Sequence, residues 1–283
     1  MTDLAASYEY CRSVARTRAR NFYYSFVLLP KAQRNAICAI YAFMRHCDDL
    51  SDEPAKGISP QSAIEAWEQA MQEALGGRFG SSPVWPAFHD TVERHKIPRE
   101  YFHEMIVGVL SDLGPRRIET FPELYRYCYQ VASVVGLTVI HIFGFRGSQA
   151  LPLAERCGIA FQLTNILRDV REDAEHDRVY LPAEDLERFH VDPRDLAAGK
   201  RTAEFVELMQ FEARRAREYY NESAPLIDMV DQHSRSSLWA LIEIYSRLLR
   251  RIEQTNYDVL SRRVELRTSE KIGIILKAAV GAR

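Results

Sequence analysis

Cys157-Gly158-Ile159-Ala160-Phe161-Gln162-Leu163-Thr164-Asn165-Ile166-Leu167-Arg168-Asp169-Val170-Arg171-Glu172-Asp173 begins as an apolar run and ends as a charged one, without a residue that would break a helix. Residues four apart share a helix face, so Asn165, Asp169, Asp173 and, one turn on, Asp177 are predicted to form one polar stripe continuing a core helix. Ala36-Ile37-Cys38-Ala39-Ile40-Tyr41-Ala42-Phe43-Met44 leads in the same way into Asp48-Asp49-Leu50-Ser51-Asp52, with Asp48 and Asp52 on one face. Both runs are apolar on nearly every side, as in buried helices.

Charge is unfavourable there. Two unit charges about 4 Å apart interact by roughly 4 kcal/mol at an effective dielectric of about 20. Carboxylates facing one another across a cavity therefore take up protons or recruit cations. Hard oxygen donors select Mg²⁺, with Mn²⁺ as the alternative, and positions left open on such an ion commonly go to phosphate oxygens. A phosphorylated or diphosphorylated substrate follows. The competing reading of either stripe is a solvated helix face, the commoner fate of acidic residues.

Arg45 stands one turn before Asp48, Arg168 directly precedes Asp169, and Arg178 follows Asp177. A guanidinium fork binds phosphate oxygens through paired hydrogen bonds, although a surface ion pair is the commoner role of any one arginine. Aromatic residues such as Phe22, Tyr41, Phe43, Tyr125, Tyr129 and Tyr245 fall on the helices or their entries. Most are expected in the core, and any that line a pocket present π faces to a developing cation.

Helical periodicity dominates the 283 residues, with candidate helices at 4–18, 31–50, 60–76, 84–94, 99–112, 121–144, 150–173, 202–221, 236–256 and 268–280. The expected fold class is all-α, in a single domain over residues 1–283, because no Ser/Gly-rich linker divides the chain. The segment Ala174 to Lys200 reads as irregular. Within it, Asp177-Arg178-Val179-Tyr180-Leu181-Pro182 is either a mobile loop that closes over a diphosphate or an ordinary connection.

Composition excludes several function classes. Hydrophobic residues make up 47% and charged residues 27%, and the net charge of -2 leaves no electrostatic footprint for nucleic acid. Five scattered cysteines without CxxC spacing read as buried small hydrophobes in a reducing compartment. Eight dispersed histidines form no HxxxH pair, so zinc is not expected. Gly76-Gly77-Arg78-Phe79-Gly80 follows no strand, and NADPH is supported by no visible motif. The N-terminus carries neither a basic n-region nor an apolar h-region, so a cytoplasmic protein is expected. Ile272 to Val280 reads first as core packing and second as a membrane-surface contact.

On these motifs, with Arg20-Asn21-Phe22, Tyr41-Ala42-Phe43-Met44-Arg45, Tyr127-Cys128-Tyr129-Gln130-Val131-Ala132 and Arg178-Val179-Tyr180-Leu181-Pro182, the chain resembles the squalene and phytoene synthase family over nearly its whole length. It looks most like the bacterial presqualene diphosphate synthases of hopanoid pathways. The resemblance implies an isoprenoid synthase helical bundle with a central cavity. It implies Mg²⁺ held by Asp48, Asp52, Asn165, Asp169 and Asp173, and diphosphate bound by Arg20, Arg45, Arg168 and Arg178. It makes Phe22, Tyr41, Tyr129 and Tyr245 cavity residues, with catalytic roles for the three tyrosines.

The expected reaction is Mg²⁺-dependent head-to-head condensation of two farnesyl diphosphates to presqualene diphosphate, with squalene or dehydrosqualene as onward products. Gln130 stands where many relatives carry tyrosine, which favours stopping at the cyclopropyl intermediate. Phytoene synthesis from geranylgeranyl diphosphate is the alternative, and a non-catalytic helical interaction protein is the alternative of another class. Isoprenyl diphosphates are the expected partners, with transient contact at the inner membrane face.

Overall fold

A computed structural model describes residues 3–18, 26–52 and 56–281, with Asp52 described in its backbone alone. Arg20, Phe22 and the Asp52 side chain, all expected in the site, lie outside the described residues. The first half of the chain contributes α1 (Leu4–Arg18), α2 (Lys31–Asp52), α3 (Pro60–Leu75), α4 (Trp85–His95) and α5 (Glu100–Ser111). Then come α6 (Phe121–Cys128), a π-helical segment (Tyr129–Ser133) and α7 (Val134–Phe143). The longest helix, α8 (Ala150–Glu175), is followed by two short helices, α9 (Ala183–Arg188) and α10 (Pro193–Ala197). The chain continues with α11 (Ala203–Ser223), α12 (Leu226–Met229), α13 (Gln232–Gln254) and α14 (Thr268–Gly281).

Local chemistry sets several of these boundaries. Ser59 caps α3 by accepting from the Ser62 amide at 3.1 Å, with Pro60 in the first turn, and Thr202 caps α11 by accepting from Phe205 at 3.1 Å. Gly144 ends α7 at φ 77°, and a Cβ there would lie 2.3 Å from an Asp231 carboxylate oxygen, so only glycine fits.

Two buried clusters form the interior, and α8 runs through both. Its first half packs with α1 to α5 and α7 around Phe43, Trp85, Phe88 and Phe102. Its second half packs with α6, α11 and α13 around Leu163, Leu167, Phe205 and Leu249. Phe161 and Ile242 touch both clusters, so the helices form one α-helical bundle.

The expected fold class matches, and four local features depart from the sequence reading. The predicted helix over 121–144 contains the π segment. Its insertion is accommodated by two glycines: a Cβ on Gly108 of α5 would lie 2.9 Å from Val131 Cγ1, and one on Gly158 of α8 would lie 2.5 Å from Ser133 Cα. A π turn carries one more residue than an α turn and so alters which side chains face the neighbouring helices.

The irregular segment 174–200 holds α9, α10 and a two-residue strand, β2 (Arg178–Val179), paired in parallel with β1 (Arg116–Arg117). Asp177 does not extend the acidic stripe. Helix α8 ends at Glu175, Asp177 turns to φ 58°, and its carbonyl accepts from Arg116 N at 3.0 Å and Arg117 Nη1 at 2.7 Å.

Finally, α14 divides its apolar residues: Ile274 and Ala278 are buried, whereas Ile272, Leu276 and Val280 are exposed. Core packing therefore explains only half of that run. Among the described residues no helix is long and apolar enough to cross a membrane.

Candidate active site

The ends of α2 and α8 flank a series of hollows. Asp48 lines one of about 220 Å³ together with Met44, Asp112, Gln130, Val131 and Val135. Met44, Val131 and Val135 also line an apolar hollow of about 250 Å³, whose other walls include Phe161, Asn165 and Tyr245. Asn165 and Tyr245 in turn line a larger one of about 610 Å³ that carries Arg168, Arg263 and Lys271. The shared walls connect an acidic end, an oily middle and a basic mouth.

Each charged group has identifiable neighbours. Arg45 ion-pairs with Asp49 rather than Asp48, and its buried Nε has no hydrogen-bond partner among the described residues. Asp48 stays half-buried at the wall of its hollow. On α8, Arg168 grips Asp169 with two bonds, 2.8 Å from Nε and 2.5 Å from Nη2. Burial pulls the Arg168 pKa down, and Asp169 more than offsets it, so the guanidinium ends above its ordinary value. Arg263 reaches the same carboxylate at 3.1 Å and Glu172 at 3.1 Å.

Asp173 lacks such neutralisation. Burial first, and then Asp169 and Glu172, push its carboxyl up to about 7, against a smaller opposing pull from Arg178.

Arg178 is positioned by the strap that follows α8. The β1–β2 pairing fixes its backbone, while Tyr180 donates to Asp112 Oδ1 at 2.8 Å and Tyr127 donates to Oδ2 at 2.9 Å. The two rings stack with centroids 4.7 Å apart. Burial raises the Asp112 pKa, and the two phenols, Arg178 and Arg116 oppose that rise. The Arg178 Nε is buried without a hydrogen-bond partner among the described residues. Hydrogen bonds thus tie the strap to Asp112 at the end of α5 and to β1.

The tyrosines divide. Tyr245 stacks on Phe161 at 4.3 Å, lines two hollows and neighbours Asn165. Tyr41 is half-buried against the N-terminal core; burial raises its pKa, with Arg45 and Asp48 close enough to be felt. Tyr41 does not line the three hollows. Tyr129, expected as a cavity residue, instead lies beneath the Arg126 guanidinium at 5.4 Å. It opens the π segment, and the next residue, Gln130, is the one that reaches the hollow, donating to Glu104 at 2.9 Å.

Asn165 Oδ1 is a buried acceptor with no hydrogen-bond partner among the described residues, and with Asp173 it provides oxygen donors of the kind a hard cation takes. Among the described residues, no three His, Cys, Asp or Glu side chains converge closely enough to hold a metal ion by themselves. Sequence reasoning missed Asp112 and Arg263. Asp112 ended the expected helix over 99–112 without belonging to a motif, and Arg263 falls between the expected helices at 236–256 and 268–280.

The model of the squalene/phytoene synthase family matches residues 15–270. The chain is 35% identical over 284 residues to the 15-cis-phytoene synthase of Synechococcus elongatus, covering 96% of this chain and 92% of that protein. It is 36% identical over 290 residues to the phytoene synthase of Arthrospira platensis, covering 98% and 94%.

Among solved structures, a dehydrosqualene synthase in complex with a ligand superposes with a TM-score of 0.87 at 28% identity, covering 97% of this chain and 96% of that one. A squalene synthase from Alicyclobacillus acidocaldarius gives 0.84 at 27% identity, covering 90% and 95%. These relatives do not single out the hopanoid presqualene diphosphate synthases that the sequence reading favoured. The chain belongs to the squalene/phytoene synthase family, whose members are prenyltransferases that condense isoprenoid diphosphates.

Proposed function

We propose that this chain is a phytoene synthase that condenses two molecules of geranylgeranyl diphosphate head to head. The observation that supports it best is the identity of 35–36% to cyanobacterial proteins named phytoene synthases, across almost the whole of both chains. The farnesyl-based reading is retained as the second, because the solved relatives include a dehydrosqualene and a squalene synthase at TM-scores of 0.87 and 0.84.

The chemistry follows from what the hollows offer. Arg45 and Arg178, each with a buried Nε donor that no other described residue uses, and Arg168 and Arg263 at the basic mouth, bind the diphosphates. Their charge stabilises the negative charge that develops on the departing diphosphate. Asp48, Asp52, Asn165, Asp169 and Asp173 are the residues that would hold Mg²⁺ or Mn²⁺, which when bound would supply further positive charge against that same leaving group.

The apolar walls keep water from quenching the allylic cation, and the stacked pair of Tyr245 and Phe161 presents aromatic surface to it. As the diphosphate leaves, the double bond of the second molecule attacks the allylic carbon. Loss of a proton then closes the cyclopropyl intermediate.

Purified protein incubated with Mg²⁺ and both diphosphates in competition tests the reading. Phytoene as the dominant product supports it, and consumption of farnesyl diphosphate alone overturns it in favour of the second reading.

A further inference from the structure

Residues 255–267, between α13 and α14, form one wall of the basic mouth through Arg263, Val264, Glu265 and Leu266. The chain reverses into this segment at Asn256 and Tyr257, with φ of 52° and 60°. Beyond the reversal regular pairing stops: among the described residues, no backbone-to-backbone hydrogen bond reaches residues 260–266. Val259, Leu260, Val264 and Leu266 are buried and hold the segment down. Apolar contact is non-directional, however, and does not by itself fix where Arg263 stands along the hollow.

Directional bonds come from arginines. Arg201 fixes the start of the segment by donating to the Asn256 carbonyl at 2.7 Å. Arg171 of α8 donates from Nη1 to the Leu260 carbonyl at 2.8 Å and from Nε to Glu175 at 2.8 Å, so the acid one turn on orients the guanidinium toward the segment. The turn at Gly199, φ 68°, packs beside that contact: a Cβ there would lie 3.4 Å from Arg171 Nη1 and 3.6 Å from the Leu260 oxygen.

Three residues after Leu260, Arg263 returns to α8 and pairs with Asp169 and Glu172, each at 3.1 Å. The segment is therefore stitched to α8 twice, and the stitches differ in kind. Asp169 is a candidate cation ligand and Arg263 a candidate diphosphate ligand, so a cation and a diphosphate compete for the two ends of that pair. Nothing in the proposed chemistry uses the Leu260 carbonyl, and its bond to Arg171 persists while Arg263 exchanges partners.

We propose that Arg171 is a positioning residue for diphosphate binding, which rests on the role proposed above for Arg263. It holds residues 260–266 against α8, so that Arg263 stays at the mouth when Asp169 and the substrate compete for it.

Calorimetric titration of the full chain with inorganic pyrophosphate, beside initial rates with Mg²⁺ and geranylgeranyl diphosphate, tests this. Arg171→Ala is expected to weaken pyrophosphate binding and to raise KM, each by about fivefold, with kcat within about twofold of the parent, because the lost bond orients a binding group and touches no reacting atom. Arg171→Lys keeps one donor for Leu260 and is expected to lie between the parent and Arg171→Ala. The R171A/R263A variant is expected to bind pyrophosphate within about twofold of R263A, since Arg171 acts through Arg263. Effects that multiply in the double variant, or unchanged affinity and KM in Arg171→Ala where Arg263→Ala weakens both, overturn the positioning role alone. Unchanged pyrophosphate binding by Arg263→Ala removes the role proposed for Arg263 and that of Arg171 with it.

Discussion

The Tyr180 hydroxyl donates to Asp112 at 2.8 Å and so fastens the strap after α8 to the end of α5. Tyr127 completes the clamp on the other carboxylate oxygen at 2.9 Å, and the β1–β2 pairing holds the backbone nearby. Arg178 sits between these fixtures, so its orientation depends on residues distant in sequence.

Removing the Tyr180 hydroxyl leaves Asp112 buried with one bond fewer. Tyr180→Phe is expected to cost about 1–2 kcal/mol in stability, read as a lower urea midpoint, with a rise in KM as Arg178 loses its fixed position. An unchanged KM would separate the clamp from substrate binding.

Close approach of α8 to the π segment makes Gly158 sensitive to any side chain. A Cβ there would stand 2.5 Å from Ser133 Cα and 2.8 Å from Ser133 N. Gly158→Ala is expected to destabilise by about 1–3 kcal/mol and to disturb the wall of the hollow formed by Val131 and Val135. Denaturant unfolding reads the first effect, and steady-state turnover reads the second.

Asp169 is held between Arg168 and Arg263. Asp169→Ala is therefore expected to lower the melting temperature, because two guanidinium groups lose a shared partner, and to reduce kcat by about 100-fold or more. Asp48→Ala, which strips a carboxylate from the opposite wall, is expected to reduce turnover comparably. Relief of carboxylate repulsion, the simple expectation from the stripe alone, predicts a stabilised Asp169→Ala protein, and calorimetry distinguishes the two.

Arg263 bridges Asp169 and Glu172 at the mouth of the hollow of about 610 Å³. Arg263→Ala is expected to raise KM for the diphosphate by about tenfold, while Arg263→Lys, which keeps the charge but not the fork, recovers part of it. Initial rates over a substrate series provide the measurement.

Glu212 titrates in the interior, away from the site. Burial pushes its carboxyl up to about 8, although Arg215 bonds it at 2.8 Å, because Asp185 competes for the same guanidinium at 2.9 Å. The folded protein therefore favours protonated Glu212 relative to the unfolded chain. Its contribution to stability is complete below the ordinary glutamate range and is lost as pH rises through about 8. Urea midpoints between pH 5 and 9 are expected to fall for the parent protein and to fall less steeply for Glu212→Gln.

Much of the fold is local and was legible in the sequence. Apolar residues at helical spacing marked α2, α8 and α13 to within a few residues, and the carboxylates at Asp48 and at Asn165 to Asp173 stood out because charge interrupts core-like runs. Tyr129 and Gln130 show where that legibility ends. Sequence spacing assumes a uniform helix, and the π segment exists because Gly108 and Gly158 let two other helices close on it. Asp112 likewise gains its meaning only from Tyr127 and Tyr180, one nearby and one across the bundle.

The sequence by itself determined the helices, the two acidic stripes and the arginines beside them, since each follows from periodicity within a few turns of chain. Only the tertiary structure decided that Gln130 lines the hollow beside Asp48 while Tyr129 lies beneath Arg126, that Asp112 and Arg263 line the candidate hollows, and that α14 exposes Ile272, Leu276 and Val280 while burying Ile274 and Ala278. The physical reason is range: helix formation is written in residues three and four apart, whereas burial and pairing are settled by contacts between segments that the chain brings together only on folding.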